Sequence, residues 1–259
     1  MDKLLVAGRW LFALSLIGLG VEHFIFGDFI TGRAPPWPFS EESGRAWAYV
    51  SGAAVILSAV AIAAGWQARL AGIFLCALIF GWALLRHLPV VAASAVLAPE
   101  WTRAVKALAF GGGALVAAAS FPALRLGGPN VVTRLLNARE GFVIAGTICL
   151  AVFMVNNGIQ HFLYTEFVAA LIPPWFPGNA VFWTYAASVF LFCGAAGMLY
   201  RPTAGIAALL TGVMVFAWVW IVHVPRVHVG VSDQIAVFEA PAIAGMAFMI
   251  AGWRYRSSP

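Results

Sequence analysis

The chain has 259 residues, of which 63% are hydrophobic and only 10% charged, and its mean hydropathy is +0.92. Soluble domains carry about 25% charged residues, so a soluble enzyme and a nucleic-acid-binding protein are both excluded. The formal net charge of +5 is what loop arginines of a multi-pass membrane protein supply.

Eight apolar segments follow in chain order: 9–26, 47–66, 69–87, 104–121, 142–163, 182–199, 203–223 and 235–253. Each has about 17–22 residues, enough for a helix to cross about 30 Å of hydrocarbon. The runs are continuous, with no period-2 alternation, so helices are expected rather than strands. The first run has no cleavage site after it and reads as a membrane helix, not a cleaved leader. Cys76, Cys149 and Cys193 lie inside these segments without a CxxC pair and read as small core residues.

With eight spans both termini share a side. Lys3, Arg9, Arg69, Arg125, Arg134, Arg139, Arg201, Arg254 and Arg256 fall on it, whereas Arg33, Arg45, Arg86, Arg103, Lys106 and Arg226 fall on the other. The bias places both termini in the cytoplasm. Most acidic residues lie on or near the outer side.

The chain is duplicated. Gly20-Val-Glu22-His23-Phe24, followed by Asp28, Phe29 and Pro35-Pro36-Trp37, recurs as Gly158-Ile-Gln160-His161-Phe162, followed by Glu166, Phe167 and Pro173-Pro174-Trp175, 138 positions later (20 to 158). Trp82, His87 and Pro89 recur as Trp218, His223 and Pro225, 136 positions later (82 to 218). The fourth spans match only loosely, with Lys106 and Glu239 near corresponding places and opposite in charge. The boundary is the segment 125–140, which holds Gly127-Gly128-Pro129 and three arginines. The expected architecture is all-α: a polytopic membrane protein of eight helices arranged as two parallel four-helix-bundle repeats, 1–124 and 141–259.

This topology puts His23, His87, His161 and His223 at one depth near the outer interface. Gly20 and Gly27 share a helix face with His23, and Gly158 and Thr165 with His161, so these histidines are expected to look inward. Such a histidine can simply bond a carbonyl and serve the fold. The set, with Glu22, Asp28, Glu166, Trp82 and Trp218 around it, reads as a pocket, because polar groups at this depth are costly and generally functional. Such a pocket can hold a metal, relay protons, or bind the head of a quinone or other amphiphile between the aromatic side chains and the titratable histidines. For a metal or haem, no HxxxH or ExxH pair lies on one helix, so ligands would have to come from separate spans.

At these residues the chain resembles the DoxX-like membrane protein family. The matching features are Gly20–Phe24 with Pro35–Pro38 and His87–Pro89, and Gly158–Phe162 with Pro174–Pro177 and His223–Pro225. The resemblance spans nearly the whole chain as two fused copies. It implies a four-helix bundle per copy in the bacterial inner membrane, and a membrane redox-associated subunit, since some relatives belong to thiosulfate:quinone oxidoreductase. Expected partners are the lipid bilayer and either redox subunits or a second copy of the chain. The alternative is a non-catalytic scaffold or small-molecule carrier.

Overall fold

The computed structural model describes residues 2–30, 34–124, 128 and 130–257. Arg33, Arg125, Gly127 and Pro129, used in the sequence argument above, lie outside the described residues. The described residues are helical, with no strand. In chain order the helices are α1 (Asp2–Phe26), α2 (Glu41–Ala64), α3 (Ala68–Trp82), a π-helical turn (Ala83–His87), α4 (Leu88–Ala93), α5 (Pro99–Ala119), α6 (Val131–Leu136), α7 (Arg139–Leu163), α8 (Thr165–Ala169), α9 (Ala180–Leu199), α10 (Ala204–Trp218), a second π-helical turn (Val219–His223) and α11 (Val231–Ser257).

Among the described residues seven helical stretches are long and apolar enough to cross a membrane: Lys3–Phe26, Glu41–Ala64, Ala68–Ala93, Arg139–Leu163, Ala180–Leu199, Ala204–His223 and Val231–Arg256. The protein is therefore a helical membrane protein. Large apolar side chains such as Leu14, Leu57, Phe74, Val189 and Leu210 cover the outward faces. The segment expected as a fourth span is the 21-residue helix α5, and it is not among the seven. Glu100, Arg103, Lys106 and the triplet Gly111-Gly112-Gly113 lower its hydropathy. Most of α5 from Val105 to Ala119 is buried by its neighbours.

Each long helix packs on its neighbour in the chain, and α11 closes the circuit on α1. The most extensive contacts are α1 with α11 and α5 with α7, and both join residues of the first half to residues of the second. Glycine makes these crossings close. A Cβ on Gly245 would sit 2.6 Å from the Phe12 nitrogen and 2.7 Å from the Gly8 oxygen, and one on Gly146 would sit 2.7 Å from the Gly112 oxygen. In a membrane, where lipid competes with every apolar side chain, such close approach is a main source of helix association. Cys76 and Cys149 pack inside, as expected of small core residues, but Cys193 is exposed on the surface of α9.

The termini share one end of the bundle, where Gly252 lies against Leu5. At that end the basic residues serve the fold. Arg69 is buried and donates to the carbonyls of Leu136 (2.9 Å), Ala118 (3.2 Å) and Phe121 (3.3 Å). It thereby ties the C-terminal end of α5 to the end of α6, where helix carbonyls lack intrahelical donors. Arg254 bonds Glu140 at 2.5 Å, and Trp253 bonds the same carboxylate at 2.8 Å.

Candidate functional site

The four histidines lie at the opposite end, and the two halves treat them differently. In the first half α1 stops at Gly27, whose φ of +64° is left-handed and suits glycine. The chain turns back there, and Ile30 folds over His23. The Nδ1 of His23 donates to the Leu19 carbonyl (2.8 Å), and its Nε2 accepts from the Ile30 N–H (3.3 Å). A carbonyl only accepts and an amide only donates, so the ring is the neutral Nδ1–H tautomer with both nitrogens engaged.

The second half has Thr165 where the first has Gly27. A β-branched residue resists a positive φ, and the Thr165 hydroxyl instead donates back to the carbonyls of His161 (3.0 Å) and Phe162 (2.9 Å). The chain coils on as α8 rather than turning over the histidine. The Nδ1 of His161 still donates to a carbonyl one turn back, that of Asn157, at 2.6 Å. Its Nε2 has no hydrogen-bond partner among the described residues. The two counterparts of the folded-back loop differ accordingly: Phe29 is 5% exposed and Phe167 is 68% exposed.

The second pair of histidines is set by proline. Pro89 and Pro225 carry no N–H, and in a regular helix each ring would collide with the carbonyl four residues back. The helix widens just before each proline. The Leu88 nitrogen bonds the Ala83 oxygen, and the Val224 nitrogen bonds the Val219 oxygen, five residues back in both cases. Such π turns are rare and cluster at functional sites. Because i→i+5 bonding stacks residues five apart, Trp82 comes to lie on the same side as His87.

In the first half these residues enclose a cavity of about 20 Å³, lined by His23, Phe29, Ser51, Trp82 and His87 among others. The Ser51 Oγ and the Trp82 Nε1 are buried and have no hydrogen-bond partner among the described residues. The volume suits one water and is far below that of a quinone ring. Arg86 closes this half. Its Nη2 donates to the Pro35 carbonyl, and its guanidinium lies 4.3 Å from the Phe29 ring centroid and 5.2 Å from that of Trp37. Phe29 in turn packs on Trp37 (5.6 Å) and on Trp82 (4.9 Å). The second half has Val222 at the position of Arg86. Replacing Arg86 with Met is expected to release residues 34–39, at a cost of about 1–2 kcal/mol for the lost cation–π contacts. Faster hydrogen exchange at the Ile30 and Trp37 amides would report it.

The other expected site residues divide. Trp82 and His87 join His23 at the cavity. Trp218 and His223 stand in the matching place on the second π turn. Asp28 is exposed, with Oδ1 accepting from the Phe29 N–H (2.7 Å), and Glu166 is exposed on α8. Glu22 is buried on α1. Its counterpart Gln160 is also buried and holds the start of α5, donating to the Leu97 and Ala98 carbonyls (both 3.1 Å) and accepting from Thr102. Leu97 has a left-handed φ of +64°, and the Gln160 bond helps keep that strained turn. Sequence reasoning missed Arg86 and Ser51. The one usable signal was an arginine inside an apolar segment directly before a repeated histidine.

In the second half no loop folds over the half-buried His161, and aromatic side chains gather at the same end of the bundle. Phe162 stacks on Tyr185 at 5.1 Å and on Phe192 at 6.3 Å, and Trp175, Phe176, Phe182 and Trp183 line the adjoining loop. A flat ring could lie against such side chains with a hydroxyl directed at the His161 Nε2. Among the described residues no three His, Cys, Asp or Glu side chains gather into a metal-binding group, and His23 has no free nitrogen to ligate iron.

Residues 150–246, which include His161, Trp218 and His223, are similar to a family described as "Domain of unknown function (DUF8561)". No curated protein and no solved structure matches the chain.

Proposed function

We propose that this protein is a quinone-interacting subunit of a membrane redox assembly, with the quinol head held at His161. The observation that carries the reading is the single ring hydrogen bond of His161, from Nδ1 to the Asn157 carbonyl, which leaves its Nε2 as an unfilled acceptor, while both ring nitrogens of the first-half histidine are engaged. A quinol hydroxyl would donate to Nε2, with the ring against Phe162 and Tyr185. The chain binds and orients the head, and a partner subunit exchanges the electrons. The DoxX-like motifs in both halves support this setting. They also support two parallel repeats in the bacterial inner membrane with both termini cytoplasmic. In this reading α5 is an eighth span, tolerable in the membrane because its neighbours bury its polar residues.

Titrating a short-chain quinol into the purified protein in nanodiscs, followed by tryptophan fluorescence, tests the reading. Saturable binding is expected, and His161→Leu should weaken it about tenfold, the equivalent of one hydrogen bond of about 1.4 kcal/mol. No binding, or equal binding by the variant, contradicts it. The closed first half favours a second reading, a scaffold without a ligand, and that reading predicts no saturable binding.

A further inference from the structure

Two contacts in this chain join positions that are counterparts of one another. Lys106 Nζ lies 2.7 Å from Glu239 Oε2, and a Cβ on Gly113 would lie 3.4 Å from Met246 Sδ. Both pairs are separated by 133 positions (106 to 239, 113 to 246). The same offset aligns α5 with α11 along their length, matching Ala107 to Ala240, Ala109 to Ala242, Gly112 to Gly245, Ala114 to Ala247 and Ala118 to Ala251. Contacts away from this line come as image pairs instead. Gly8 meets Gly245, and Gly146 meets Gly112. Gly8 corresponds to Gly146 at the 138-residue offset of the first spans. In a two-fold arrangement a residue touches its own counterpart only on the axis, and elsewhere each contact has an image. Lys106 and Gly113 are seven residues apart, two turns along one face of α5, so both fall on a single line between α5 and α11.

On that line sits a buried ion pair. The side chains of Lys106 and Glu239 are 15% and 5% exposed. Seven residues into α5, the pair lies about 10 Å below the helix start. Were the halves alike, two lysines or two glutamates would face each other in an apolar interface. Removing the partner of a buried charge costs several kcal/mol, and a like charge in its place costs more.

We propose that the chain is built as a two-fold dimer of unlike halves, with Lys106–Glu239 on its internal axis as the element that selects unlike over like pairing. The surface on each half is formed by its first and fourth spans, and the partner it fits is the other half with the opposite charge. Ala107, the neighbour of Lys106, lines the first-half cavity, so the pair also stands beside the site. The inference does not depend on what that site binds.

Exchange of the two charges in the full chain is the test. Each of the two positions faces the other, so exchanging the two charges keeps an opposite pair at the same place. Lys106→Glu alone and Glu239→Lys alone should each lower the folded, monodisperse yield in mild detergent at least about tenfold. The double variant should return it to within about twofold of the original chain. A double variant as poor as the singles, or singles as good as the original, overturns the proposal.

Discussion

Gly245→Leu is expected to abolish the folded protein. The first atom added at this position already meets backbone, with the Phe12 nitrogen at 2.6 Å and the Gly8 oxygen at 2.7 Å, and backbone cannot rotate out of the way as a side-chain tip can. The smaller Gly245→Ala change should push α1 and α11 apart and cost about 1–3 kcal/mol, the usual range for overpacking a tight contact. Gly81→Ala provides the control. A Cβ there meets nothing within 4 Å, and alanine is the better helix former by about 1 kcal/mol, so this variant should be at least as stable as the parent. Thermal unfolding in detergent separates the three. A Gly245→Ala protein as stable as the Gly81→Ala protein would contradict the packing account.

Loss of His23 should cost far more stability than loss of His161, although the two occupy the same place in a repeated motif. His23→Leu leaves the Ile30 N–H buried without an acceptor, and an orphaned buried donor costs about 1–3 kcal/mol. It also unpins the turn at Gly27, so Phe29 loses its place under Arg86. His161→Leu orphans no amide, because α8 satisfies the matching nitrogen internally, with the Val168 N–H bonded to the Tyr164 oxygen at 3.0 Å. Its expected cost is below about 1 kcal/mol. Equal destabilisation by the two substitutions would show that the halves are not divided into a closed and an open site.

Much of this was legible in the residues. Apolar run lengths give seven of the eight expected membrane helices, and the Gly-x-x-His-Phe and Trp-x4-His-x-Pro motifs locate all four histidines at one end. The plain reading of an interfacial histidine, a bond to a nearby carbonyl, describes the Nδ1 of both His23 and His161. The divergence between halves was not legible because it rests on single replacements whose effect is conformational. Gly27 against Thr165 decides whether the chain folds over the histidine, and Arg86 against Val222 decides whether the loop is held there. Asp28 and Glu166 keep register with the motif yet point to the exterior, since register along a chain does not determine direction once a helix has ended. The pairing of Lys106 with Glu239 escaped the sequence because α5 and α11 resemble one another only loosely. A contact between helices 133 positions apart leaves no local periodicity.

The claim that one histidine-bearing half binds a quinol while the other is closed is tested most directly by what accompanies the native protein. The full chain should be purified from its membrane in mild detergent, and its bound quinone extracted and counted by mass spectrometry, alongside His161→Leu and His87→Leu. The account predicts one quinone per chain, retained in His87→Leu and lost in His161→Leu. No quinone in the native protein, two per chain, or a quinone indifferent to His161 would contradict it.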